Sequence, residues 1–224
     1  HYQPKFDLRS GDVVGVEALL RWQHPRLGAI PPDRFIPLAE ESGLILAIGA
    51  WMIDAATRQL SRWQDEGIVL ALSINISTVQ LNQQNLAEVI GNAIRTSGCR
   101  AERLEIELTE SSIMEAQERA SSILDPLKAL GVQIAMDDFG VGYSSFPYLR
   151  KLPIDSVKID HSLIPDVTTD ADAAAIVSAI LAMALHALDL EAVSMIATPI
   201  LFGEVALTLW LLIVGVRVTP AERV

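Results

Sequence analysis

The chain has little cysteine, few aromatics, few histidines and no basic run. One cysteine, Cys99, among 224 residues permits no internal disulfide, which fits a reducing compartment and excludes a disulfide-stapled scaffold. Four histidines and that single thiol leave little for a zinc site. Lys and Arg total 17 against 28 Asp and Glu, a formal charge of −11. An acidic chain without a basic stripe is a poor partner for nucleic acid. There is no fixed-period repeat and no low-complexity linker, and the composition is not that of a disordered or collagen-like chain. No signal peptide opens the chain. It begins at His1 rather than Met, and reads as an excised fragment.

What is present is apolar. Half the residues are hydrophobic and the mean hydropathy is +0.34. The excess lies at one end. Residues 1–190 mix polar and apolar positions, while 191–224 carry only Glu191, Glu204, Arg217, Glu222 and Arg223 as charges. Within the first part, Tyr2–Leu8 and Val13–Leu20 flank the turn Arg9-Ser10-Gly11-Asp12 and read as a hairpin. Helical spacing marks Ile45–Glu66, Leu86–Ser97 (stopped by Gly98), Met114–Leu130 (stopped by Gly131) and Asp170–Leu188. Strand signals mark Val69–Ile76, Leu104–Leu108, Val132–Met136 and Val157–Ile159. Repeated strand–helix units predict a parallel sheet. Both a barrel and an open doubly wound sheet satisfy them. Polar residues recur at strand ends (Asn75, Glu107, Asp137, Lys158), as in a (β/α)8 barrel that builds its site on one face.

These polar residues have plain readings and chemical ones. Glu17 lies in an apolar strand, where burial requires a partner or a metal; a solvent-facing position is the plainer account. Asn75 is either a strand-end cap or an oxygen ligand. Alternation puts Glu105 and Glu107 on one face of their strand, opposite Ile106 and Leu108. Glu110 suits a helix N-terminus. Asp137 and Asp138 repel each other unless a cation offsets them. Lys158 in an apolar strand requires a carboxylate or an anion, and Asp160 follows it. Oxygen donors without Cys or a His cluster point to Mg²⁺ or Mn²⁺. A pair of such ions suits phosphodiester hydrolysis.

Tyr2-Gln3-Pro4, Glu17-Ala18-Leu19-Leu20-Arg21-Trp22, Asn75-Ile76-Ser77, Glu107-Leu108-Thr109-Glu110, Asp137-Asp138-Phe139-Gly140 with Gly142-Tyr143-Ser144-Ser145, and Lys158-Ile159-Asp160 occur in this order. Together they resemble the EAL domain, the hydrolase of the bacterial second messenger cyclic di-GMP, over about residues 1–190. The resemblance implies an α/β fold, a TIM-like (β/α)8 barrel with an antiparallel first strand, incomplete or altered at its C-terminal end. It implies a cytoplasmic phosphodiesterase domain that produces pGpG with a two-metal Mg²⁺ or Mn²⁺ site. By position, Glu17, Asn75, Glu107 and Asp137 would ligate one ion, and Asp137 with Asp138 a second. Lys158 would hold the attacking water, Gln3 and Arg21 would contact the substrate, and Glu110 would anchor the loop Asp138–Ser145. The resemblance also implies a homodimer and upstream sensor or GGDEF-type (diguanylate cyclase) domains. The alternative is a catalytically inactive receptor for cyclic di-GMP, or a protein-interaction module.

Two departures stand out. Val141 occupies a loop position where the family commonly has Thr. More consequentially, Met195 falls where the family places a metal-binding Glu, and the family's later Gln motif is missing. A thioether does not replace a carboxylate on Mg²⁺, so the second ion should be weakly held or lost. Residues 191–224 form a divergent hydrophobic tail. Val193–Val216 contains one charge, Glu204, and is long enough to span a bilayer. The order of expectation is a fusion or truncation, then substitute barrel elements, then a membrane anchor. The anchor ranks last because Arg217 and Arg223 follow the segment and would hold the C-terminus in the cytoplasm.

Overall fold

The computed structural model describes residues 1–116, 119–140, 151–164, 177–178 and 196–197. Nine strands and six α-helices fall within them: β1 (Tyr2–Asp7), β2 (Val13–Ala18), β3 (Trp22–His24), β4 (Gly28–Ile30), α1 (Pro32–Glu41), α2 (Leu44–Asp65), β5 (Ala71–Asn75), α3 (Thr78–Leu81), α4 (Leu86–Ser97), β6 (Leu104–Thr109), α5 (Glu110–Glu115), α6 (Ala120–Ala129), β7 (Gln133–Phe139), β8 (Ser156–Ile159) and β9 (Ile196–Ala197).

Seven strands share one sheet in the order β8-β7-β6-β5-β2-β1-β9, and β3 pairs with β4 in a separate hairpin. Strands β2, β5, β6, β7 and β8 run parallel. The first strand β1 is antiparallel to β2 and to β9. Over the described residues, this mixed sheet with its helices is part of a TIM-like barrel whose first strand is reversed, as the resemblance implies.

The period of two along each strand sorts side chains between two faces. Leu72 and Ile74 of β5, Leu104, Ile106 and Leu108 of β6, and Ile134 and Met136 of β7 are buried in the apolar core. The helices supply the other half of that core. On α2 the buried residues Ile45, Gly49, Ile53, Ala56 and Leu60 recur at helical spacing. On α4 they are Leu86, Ile90 and Ala93, and on α6 Ala120, Leu124 and Leu127. The apolar core therefore lies between sheet and helices. The opposite face of the sheet, the barrel interior, is polar.

Most expected elements appear within two residues of their expected ends. Helix α4 spans Leu86–Ser97, and Gly98 closes it at φ 73°, a left-handed cap that glycine adopts without strain. Two expectations are corrected. The helix expected over Met114–Leu130 is two helices, α5 and α6. Thr109 starts α5 by accepting from the Ser112 N–H, so the first of them begins at Glu110, upstream of the apolar run. The strand expected over Val132–Met136 continues as β7 through Asp137 and Asp138 to Phe139. Phe139 is buried and Lys158 offsets Asp137, so the two acids do not end the strand. The helix expected over Asp170–Leu188 and the tail 191–224 lie outside the described residues, apart from 177–178 and the two residues of β9.

Candidate active site

The barrel interior collects one polar side chain after another from neighbouring strands. Glu17 comes from β2, Ser73 and Asn75 from β5, Glu105 and Glu107 from β6, Asp137 from β7, and Ser156 and Lys158 from β8. Ladder register sets their heights: Glu17 pairs with Ser73, and Asn75 with Glu107. TIM barrels ordinarily fill this space with bulky apolar layers. Here charges fill it.

Lys158 is the focus. Its Nζ donates to Glu107 Oε2 at 2.8 Å, to Asp137 Oδ2 at 2.8 Å and to Glu17 Oε2 at 3.3 Å. Asn75 Nδ2 donates to the other Glu17 oxygen, Oε1, at 2.7 Å. Glu17 is 9% exposed and Glu107 only 1%. The solvent-facing reading of Glu17 is therefore set aside. Burial alone would weaken the hold of Lys158 on its proton. The carboxylates of Glu107, Asp137 and Glu17 outweigh it and raise its pKa well above the usual lysine range. Lys158 is thus a cation at neutral pH, able to donate hydrogen bonds and unable to act as a base. Burial and the neighbouring Glu107 push the Glu17 carboxyl up, against the pull of Lys158 and Asn75.

A second ammonium lies below the first. Lys5 of β1 is 4% exposed. Its Nζ donates to Glu107 Oε1 at 2.6 Å, to Glu105 Oε1 at 2.8 Å and to the Ser73 hydroxyl. Ser73 Oγ donates to Glu105 Oε1 at 2.5 Å, and Ser156 Oγ to Glu105 Oε2 at 3.3 Å. Four carboxylates (Glu17, Glu105, Glu107, Asp137) face two ammoniums, which leaves a formal excess of two negative charges in a largely buried space.

Among the described residues, no three His, Cys, Asp or Glu groups stand in ready ligating geometry. The Lys158 ammonium holds the point on which the carboxylates converge. The donor set nonetheless fits a hard divalent cation: it is all oxygen, it converges within 3.3 Å of a single point now taken by a cation, and its charge excess is two.

Asp138 stands apart from this cluster. Its backbone is left-handed, at φ 55°, the only such non-glycine among the described residues. That conformation costs of the order of 1–3 kcal/mol and collects at functional sites. Burial, Asp137 and Asp160 raise the Asp138 carboxyl above the usual range. The Ser162 hydrogen bonds above all, with a smaller contribution from Asp138, hold the Asp160 carboxyl below the usual range. Glu110, the first residue of α5 and 2% exposed, accepts from the Gly140 N–H on Oε2 at 2.9 Å. Gly140 has φ 100°, a conformation that favours glycine. The tie joins the start of α5 to the beginning of the loop after β7. Val141 and the remainder of that loop, to Ser145, lie outside the described residues, as does Met195.

Gln3 pairs with Glu17 across the β1–β2 ladder. Arg21 is exposed, with Nη1 donating to the Leu20 carbonyl at 2.7 Å. It lines a cleft of about 880 Å³ with Tyr2, Leu20, Trp22, Pro31 and Trp51 among others. Tyr2 and Ala18, which both line it, are the chain neighbours of Gln3 and Glu17 and face the helix side of the sheet, where Tyr2 packs on Trp63. Glu17, Glu107, Asp137 and Lys158 therefore meet at one point, with Asn75 on Glu17; Gln3 is beside Glu17 on the ladder, Asp138 follows Asp137, Glu110 ties Gly140, and Arg21 lies on the cleft. Sequence reasoning missed Lys5 and Ser73. Lys5 is two residues after Gln3 and shares its strand face, but its partners lie 100 and 102 residues along the chain.

Comparison with known proteins fits this geometry. The EAL domain family matches residues 1–199. The bifunctional diguanylate cyclase/cyclic di-GMP phosphodiesterase MucR of Pseudomonas aeruginosa is 45% identical over 184 residues, 82% of this chain and 27% of that protein. The cyclic di-GMP phosphodiesterase PdeR of Escherichia coli is 41% identical over 194 residues, 87% of this chain and 29% of that protein. The chain thus spans under a third of these relatives. Among solved structures, the PaMucR phosphodiesterase in complex with c-di-GMP superposes with a TM-score of 0.79 at 44% identity, covering 84% of this chain and 76% of that one. The EAL enzyme Bd1971 bound to cAMP and cyclic di-GMP gives 0.85 at 32% identity, covering 94% and 57%. On a family match that spans residues 1–199 of 224, the chain belongs to the EAL domain family.

Proposed function

We propose that the chain is a cyclic-di-GMP phosphodiesterase domain that hydrolyses its substrate to pGpG at the interior carboxylate cluster. The observation that carries this reading is the convergence of Glu17, Glu107 and Asp137 on one cationic point. Relatives named as phosphodiesterases support hydrolysis over binding alone.

Glu17, Asn75, Glu107 and Asp137 would hold one divalent cation, Mg²⁺ or Mn²⁺, and Asp137 with Asp138 a second. Such ions activate water and neutralise phosphoryl oxygens when bound. The chain's own residues do the rest. Lys158, held cationic by its neighbours, donates to the attacking water and orients it. Asn75 fixes the rotamer of Glu17 through Oε1. Arg21, on the cleft whose volume is within the range of small-molecule sites, and Gln3, on the ladder beside Glu17, contact the dinucleotide. Glu110 holds the loop at Gly140. Met195 in place of a carboxylate would leave a second cation weakly held, which would lower the rate and spare the first site.

The relatives' fuller length supports sensor or diguanylate-cyclase domains elsewhere in the whole protein, and a homodimer is part of the same reading. Among the described residues no single helix is long and apolar enough to cross a membrane; a cytoplasmic location follows from the proposed substrate. Turnover of cyclic di-GMP by the 224-residue chain, compared with Glu17→Ala, tests the reading. Loss of pGpG in the variant is expected. An unaffected rate would remove Glu17 from the site.

A further inference from the structure

Lys5 is 4% exposed and sits beneath the cluster, on Ser73, Glu105 and Glu107. A buried lysine can be a purely structural clamp. Two features of this one point further.

The first is how Glu107 is shared. Its Oε1 accepts from Lys5 at 2.6 Å and its Oε2 from Lys158 at 2.8 Å. The carboxylate is pinned from below, so a single oxygen is presented to the point where the other acids converge. The second feature is the setting of Lys5. The ladder pairs it with Gly15, and the register shifts between Lys5 and Phe6. Bulges of this kind re-aim side chains. A Cβ on Gly15 would come to 3.0 Å from the Ala71 carbonyl oxygen, a tight contact that would press on β5. The lysine stem fills the floor at this level, and its ammonium reaches across to β5 and β6.

We propose that Lys5 is a positioning residue for the cation site: it fixes Glu107 with one oxygen turned inward and, with Ser73, keeps Glu105 from competing for that place. The inference rests on the cation-binding reading above. Without Lys5, two buried carboxylates would share no ammonium at this level. They would repel and turn, and Glu107 would be a poorer ligand. Groups that orient ligands in this way change metal affinity about 10–100-fold when removed.

The test is a Mn²⁺ titration of the full chain, followed by the electron paramagnetic resonance of the free ion, for wild type and Lys5→Met. Methionine keeps most of the stem and removes the charge. The expected result is a Kd for the folded variant about 10–100-fold higher. A purely structural role would lower the melting temperature and leave that Kd unchanged, which would overturn the inference. A lower Kd, from relief of charge repulsion, would also overturn it. If Lys5→Met does not fold, Ser73→Ala decides: a rise of about threefold or more supports the inference, and an unchanged Kd overturns it. Wild type that binds no Mn²⁺ would overturn the cation site itself, which is a different failure.

Discussion

Lys158 Nζ and Glu107 Oε2 lie 2.8 Å apart, although the two residues are 51 positions apart in the chain. The parallel ladders β6–β7 and β7–β8 bring them together. Because the acids around it keep Lys158 protonated, the role proposed for it is to donate. Lys158→Met should therefore lower kcat for cyclic di-GMP by about 10²-fold or more, the usual effect of removing one preorganised electrostatic group. Binding of the intact dinucleotide should change far less. Steady-state rates of pGpG formation beside a binding titration would check this. A rate within threefold of wild type would contradict the role.

The Glu110–Gly140 tie should matter in proportion to its charge and burial. A hydrogen bond to an ionised acceptor contributes about 1.5–3 kcal/mol. Glu110→Ala removes the acceptor and leaves the Gly140 N–H without it. If the loop must hold its place for turnover, kcat/KM should fall about tenfold or more. Circular dichroism should still report a folded barrel. Unchanged kcat/KM would show that the tie is structural only.

How much of this was legible in the sequence follows from how far each cause reaches along the chain. The hairpin β1–β2, helix α4 and strand β6 are specified by local alternation, spacing and a terminal glycine. The separate hairpin β3–β4 is only three residues a side, too short for a periodic signal, and helix α1 contains Pro37, which breaks the pattern that would reveal it. The start of α5 at Glu110 depends on a cap at Thr109 that lies before the apolar run. In the site, Glu17, Asn75, Glu107, Asp137 and Lys158 were each visible as polar residues in apolar strands. Lys5 was not, because its partners Glu105 and Glu107 lie 100 and 102 residues away. Only the register of a reversed first strand brings them together.

Restoring an acid at Met195 is the cleanest test of the second cation. Met195→Glu should raise kcat in Mn²⁺ by about tenfold or more, because one missing electrostatic element commonly costs about 10²–10³. The dependence of rate on Mn²⁺ concentration should shift to lower concentration at the same time. A rate unchanged by the substitution would place the impairment elsewhere or show that none exists.

Cys99 gives a prediction about pH. It is 6% exposed, and burial, above all, pushes its thiol up from the ordinary value of 9.0. The folded chain keeps this proton at pH values where the unfolded chain has lost it. The contribution is therefore fully present below about pH 9 and is lost as pH rises through the folded value, at no more than about 1.4 kcal/mol per unit. Urea midpoints at pH 8 and pH 10 should fall more for wild type than for Cys99→Ala. Equal falls would contradict the assignment.

The central claim is that the acidic interior of this barrel cleaves cyclic di-GMP with a divalent cation. The most direct measurement incubates the 224-residue chain with cyclic di-GMP and Mn²⁺, with and without EDTA, and separates the nucleotides by chromatography. The account predicts pGpG that accumulates with time in Mn²⁺ and disappears with the chelator. Intact cyclic di-GMP after prolonged incubation, with binding shown in a parallel titration, would contradict it.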